Sequence, residues 1–206
     1  MDNSKNIGFK YSFPDTYGLV LCGGRSSRMC TDKSMLQYYD KPQRYQVYDI
    51  IQPLCEKVFI ACNEQQIKSI EAGYEFIQDD KSFGDIGPMN ALLSAFTRYP
   101  QKNILLIGCD YPFLTATELG LFSVFCKEIP AAFYNKADNV YEPMLAWYPY
   151  NCFDTLKKMY AAKQFSLQRL LIESHAVKYL PTNADSIKSI DTKEAFTQTN
   201  NRLNAG

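Results

Sequence analysis

Short apolar runs and amphipathic stretches alternate along the first two thirds of the chain. Residues 17–21 (Tyr-Gly-Leu-Val-Leu) are an apolar run ending in Cys22-Gly23-Gly24, the pattern of a buried strand entering a glycine turn. Beyond Pro42, the residues Val47, Tyr48, Ile51 and Leu54 recur at helical spacing. Residues 57–61 (Lys-Val-Phe-Ile-Ala) and 74–77 predict two further strands. After Gly87-Pro88, Met89, Leu92, Leu93 and Phe96 fall at i, i+3, i+4 and i+7, which predicts an amphipathic helix. Residues 103–108 are the most apolar strand candidate and run directly into Cys109-Asp110. Thr115 and Glu118 then have the spacing of a capping box, with Leu119, Phe122 and Cys126 along one face of the following helix.

The later pattern changes. Residues 131–134 and 144–147 flank a polar turn, as in an antiparallel pair. Helical spacing follows at 153–160 and 167–171, then a strand at 177–180. Asp191-Thr192-Lys193-Glu194 is a further helix start. Strands separated by helices predict the α/β class, a three-layer α/β/α sandwich around a mostly parallel sheet covered on both faces. The reading places a flexible N-terminal tail over residues 1–16 and a single domain over 17–206.

Composition narrows the partners. The 206 residues carry 22 Lys+Arg against 22 Asp+Glu, so the formal net charge is zero, which argues against a general nucleic-acid or membrane-surface binder. The seven cysteines are odd in number, contain no Cys-x-x-Cys, and are accompanied by one histidine, His175. That fits small buried thiols in a reducing compartment better than a zinc site or a disulfide scaffold. No apolar run approaches the ~20 residues of a membrane span, and the polar start lacks a signal-peptide core, so the expectation is a cytoplasmic protein.

The loop after the first strand is the richest in chemistry. Gly23 and Gly24 permit a sharp turn and a close backbone approach to an anion, Ser26 and Ser27 add hydroxyl donors, and Arg25, Arg28 and Lys33 add three cations. It is neither a Walker A loop nor a G-x-G-x-x-G turn, and alone it also reads as a solvated βα turn. Asp110, at the end of the most apolar strand, should emerge at the same sheet edge and suits a magnesium ion, although a lone aspartate there also reads as a turn or cap. Asn63 follows the 57–61 strand, and Asp79 and Asp80 follow 74–77. An asparagine there can donate and accept to a base or ribose, and a carboxylate can accept from guanine's N–H groups. Each is commonplace alone; their coincidence at four strand ends favours a nucleotide site.

The loop Leu21-Cys22-Gly23-Gly24-Arg25-Ser26-Ser27-Arg28-Met29 with Asp32-Lys33 resembles the signature of nucleotidyltransferases of the molybdenum cofactor guanylyltransferase (MobA) type. Gly87-Pro88-Met89, the run Cys109-Asp110-Tyr111-Pro112-Phe113-Leu114 and Glu142-Pro143 extend the resemblance in the family's order. It implies the nucleotide-diphospho-sugar-transferase fold and transfer of GMP from Mg·GTP to molybdopterin with release of pyrophosphate. It also implies contacts with other molybdenum cofactor biosynthesis or acceptor proteins. By resemblance, Leu21, Cys22, Gly23, Gly24 and Lys33 bind GTP, Asn63 and Asp79 or Asp80 contact the nucleotide, and Asp110 holds Mg²⁺. Arg28, Lys33 and Asp110 would carry catalysis through charge neutralisation on the phosphates. The sequence departs from the family at Cys30, at Asn90-Ala91 and at Ser189-Ile190-Asp191-Thr192-Lys193. A CTP-dependent cytidylyltransferase and a non-catalytic nucleotide-binding regulatory module stay open as alternatives.

Overall fold

Seven strands join into one sheet in the computed structural model, which describes residues 12–22, 33–190 and 192–204. In chain order they are β1 (Thr16–Leu21), β2 (Lys57–Cys62), β3 (Phe76–Gln78), β4 (Asn103–Gly108), β5 (Ala131–Asn135), β6 (Val140–Tyr148) and β7 (Val177–Tyr179). Across the sheet the order is β3-β2-β1-β4-β6-β5-β7. β6 runs antiparallel to β4 and β5, and the other pairings are parallel. The helices are α1 (Gln43–Ile51), α2 (Glu64–Ile67), α3 (Pro88–Arg98), α4 (Ala116–Ser123), α5 (Cys152–Ala161), α6 (Leu167–Glu173) and α7 (Lys193–Asn204).

The central strands are apolar on both faces, so each face needs cover. Leu19, Leu21, Ile104 and Leu106 pack beneath α3, α5 and α6, while Val20, Leu105 and Ile107 pack beneath α1 and α4. Gly18 sits where α1 presses closest: a Cβ there would lie 2.7 Å from Ile51 Cδ1. Cys22, Cys62, Cys109 and Cys152 are buried thiols, and Trp147 is core, its indole N–H donating to Thr16 Oγ1 at 3.0 Å. Among the described residues no helix is long and apolar enough to cross a membrane.

Three local expectations need correction. The end of the supposed tail is docked: Phe13 is buried against Phe122, its N–H donates to Leu54 O, and β1 begins at Thr16. The antiparallel pair is longer than its apolar stretch, because β6 starts at Val140. The capping box at α4 is only half made. Thr115 Oγ1 accepts from the Glu118 N–H, but the Glu118 carboxylate turns inward, where it accepts from Tyr179 OH and from the Thr182 N–H and hydroxyl. Burial would raise the Glu118 carboxyl; the hydrogen bonds from Thr182 and Tyr179 outweigh it and hold the group below its ordinary range.

Candidate nucleotide site

Register brings the predicted residues to one edge. Leu21 pairs with Ala61 on β2 and with Gly108 on β4, and Ala61 pairs with Ile77 on β3. Parallel strands in that register end together, so Asn63, Asp79 and Asp110 leave the sheet at the edge where β1 enters the glycine loop. The chain leaves β1 toward β2 on one side and leaves β4 toward β5 and β6 on the other. The β1/β4 gap is therefore the topological switch point, where open α/β sheets bind ligands. At ~4.8 Å between strands, the edge from β3 to β4 spans about 14 Å, enough for an extended nucleoside triphosphate.

The residues along this edge differ in what they have left to offer. Leu21 and Cys22 turn their side chains into the core, and Leu21 O already accepts from the Cys109 N–H at 3.2 Å. Asn63 spends its carbonyl oxygen on α2, accepting from the N–H groups of Gln65 (2.9 Å) and Gln66 (3.0 Å). The expectation that Asn63 both donates and accepts is corrected accordingly: its amide donors remain, and its acceptor caps a helix. Asp80 is likewise a cap, accepting from the Ser82 N–H at 2.8 Å, and that bond holds its carboxyl below the ordinary range. Asp79 is different. Its Oδ1 is buried without a hydrogen-bond partner among the described residues, and burial pushes the carboxyl up to about 6.

Asn90 accounts for its own departure from the family pattern. Its side-chain amide donates to Asp80 O (3.1 Å) and Gly84 O (2.9 Å), and its Oδ1 accepts from Ser94 Oγ, whose oxygen accepts from the Asp80 N–H. The loop after Asp79 is thus fastened to α3. Gly87 begins that helix with φ +65°, a conformation that favours glycine.

At β4 the strand ends on Gly108 for a steric reason. A Cβ there would stand 2.5 Å from Asp110 Oδ1 and 3.3 Å from both Met144 Cβ and the Tyr111 ring. The missing side chain is the space that the Asp110 carboxylate occupies. Tyr111 OH donates to Glu142 Oε2 at 2.9 Å, bringing a second carboxylate from β6 to this corner. Burial raises the Glu142 carboxyl, the Tyr111 hydrogen bond opposes that, and the charge of Asp110 adds to it. The resemblance included Glu142-Pro143 but assigned Glu142 no role in the site. Asp110 and Glu142 are hard oxygen donors, and one or two carboxylates are what Mg²⁺ takes from a protein when phosphates supply the rest. This donor set, a carboxylate pair brought together by the Tyr111 hydrogen bond, fits such an ion. No cluster of three or more metal-binding side chains occurs among the described residues.

Lys33 opens a single 3₁₀ turn (Lys33–Met35) that packs on α1, with Leu36 O accepting from the Gln43 N–H at 2.8 Å. Gly23, Gly24, Arg25, Arg28 and Cys30 lie outside the described residues.

Residues 18–177 match the family described as the MobA-like NTP transferase domain. The chain belongs to that family. A molybdenum cofactor biosynthesis bifunctional protein of Synechocystis sp. is 28% identical over 188 residues, 89% of this chain and 53% of that one. A molybdenum cofactor guanylyltransferase of Shewanella sediminis is 31% identical over 99 residues, 48% of this chain and 50% of that one. The chain thus spans about half the length of these two curated relatives. Molybdopterin-guanine dinucleotide biosynthesis protein A of Archaeoglobus fulgidus shares the fold, with a TM-score of 0.74 at 18% identity, covering 92% of this chain and 100% of that one.

Proposed function

We propose that this MobA-like nucleotidyltransferase transfers GMP from magnesium-bound GTP to the terminal phosphate of molybdopterin. The observation that carries the reading is the placement of Asp79 and Asp110 at opposite ends of one sheet edge, on either side of the end of β1. The curated relatives named guanylyltransferases support the choice of substrate.

In this reading Asp79 accepts from the N–H groups of guanine with its unmatched oxygen, and the Asn63 amide donates to the base or ribose. Lys33 and Arg28 hold the triphosphate. Asp110, with Glu142 beside it, would hold the magnesium ion, whose contribution is charge neutralisation at the α-phosphate and on pyrophosphate. An oxygen of the acceptor phosphate forms a bond to the α-phosphorus. The bond to the bridging oxygen breaks, and its electron pair leaves with pyrophosphate. That nucleophile is anionic near neutral pH, so a dedicated base is unnecessary. The one histidine, His175, precedes β7 and lies at the opposite edge of the sheet.

The test is magnesium-dependent pyrophosphate release from GTP, CTP and ATP with molybdopterin as acceptor. Turnover with GTP well above the other two is expected. A preference for CTP would make the chain a cytidylyltransferase, and nucleotide binding without turnover would make it a regulatory module.

A further inference from the structure

We infer that the C-terminal helix α7 is a positioning clamp, which fixes the segment carrying Lys33 against the segment carrying Asp110. The inference rests on the guanylyltransferase reading for its catalytic meaning, and on packing alone for its existence. The two segments leave different strands, β1 and β4, and what must be fixed for catalysis is their separation.

Three contacts place the C-terminal chain across both. The Ile190 N–H donates to Asp110 O at 2.9 Å, and the Ile190 side chain is buried. Farther along, the Phe196 ring meets the Tyr38 ring edge-on at 4.9 Å, five residues beyond Lys33. One helical turn and a half later, the Arg202 guanidinium lies 5.1 Å from the Phe113 ring centroid, three residues beyond Asp110. Arg202 also pairs with Asp185 at 2.7 Å, which ties the helix to the 3₁₀ turn Ala184–Ile187 from which the chain enters this region. The segments also touch each other directly: Tyr39 OH donates to Pro112 O at 2.9 Å.

The spacing explains the reach. Phe196 and Arg202 are six residues apart, about 9 Å along a helix at 1.5 Å per residue, so one rigid element bridges the two site segments. The upstream anchor is firm as well, because Thr182 is bonded to the buried Glu118 carboxylate through its N–H and its hydroxyl. Tyr38 is buried, and with Leu36 bonded to α1 the Lys33 segment sits between α1 and α7. Phe196 and Arg202 are therefore positioning residues, which act through Tyr38 and Phe113.

The experiment is hydrogen–deuterium exchange on the full chain without nucleotide, read at residues 34–39 and 111–114, with β1 and β4 as internal controls. Phe196→Ala is expected to speed exchange at 34–39, and Arg202→Met at 111–114, while the strands stay protected. Phe196→Tyr keeps the ring and should restore protection. GTP affinity in magnesium should fall roughly two- to tenfold in Phe196→Ala, the size expected for one lost ring pair. Arg202 is largely exposed, so Arg202→Met keeps the test open if Phe196→Ala fails to fold. Faster exchange confined to α7 itself, or unchanged GTP affinity in both variants despite loosened segments, would overturn the clamp. If the wild type binds no GTP, the guanylyltransferase reading fails, and the exchange pattern still decides whether the clamp exists.

Discussion

Asp79 and Gly108 show how single positions shape this edge. The folded-state pKa of Asp79, about 6, lies above the ordinary value of 3.8, so the folded protein holds that proton more tightly than the unfolded chain does. Stability from this group is therefore present at low pH and is lost as pH rises toward 6. Asp79→Asn should raise the melting temperature at about pH 8 and leave it unchanged at about pH 3. Guanine needs the ionised form, so wild-type GTP affinity should fall as pH drops below about 6, and a binding titration across that range checks it. Gly108→Ala tests the other end. The added Cβ collides with the Asp110 carboxylate, so magnesium-dependent GTP binding should weaken on the order of tenfold to a hundredfold while the sheet still melts cooperatively. Neither effect was legible in the sequence. The neighbours Asp79 and Asp80 are indistinguishable as letters; the burial of Asp79 Oδ1 and the Ser82 bond to Asp80 separate their roles.

Among the elements, those with one clear periodicity were read correctly. β1, β2, β4 and α3 follow from apolar runs and from the 3.6-residue repeat, because burial on both faces or on one stripe leaves a direct pattern. What escaped depended on partners distant in sequence. Glu118 looks like half of a capping box, yet its carboxylate is claimed by Tyr179 and Thr182. The end of α6 is a second case. There the chain bends with φ +48° at His175, a conformation that its side chain gives no hint of in the sequence. The N–H groups of His175 and Ala176 then donate to Ile172 O and Leu171 O. A glycine suits that conformation better, so His175→Gly should stabilise the protein by about 0.5–1 kcal/mol in denaturant melts, without changing turnover.

Over the whole molecule, the zero net charge is an average that conceals local clustering: Arg25, Arg28 and Lys33 fall within nine residues of sequence, and Asp79, Asp80 and Asp110 follow the ends of β3 and β4. The fold class was legible because strands alternating with helices imply a mostly parallel sheet covered on both faces. The arrival of Glu142 beside Asp110 was not, since it requires knowing that β6 inserts antiparallel between β4 and β5. The same insertion leaves the β1/β4 edge as the place where a nucleotide and its metal would meet the acceptor. A calorimetric titration of GTP into the wild type and Asp110→Asn, each with and without magnesium, tests that most directly. The account predicts that magnesium tightens GTP binding to the wild type and has little effect on the variant. Equal magnesium dependence in both proteins would contradict it.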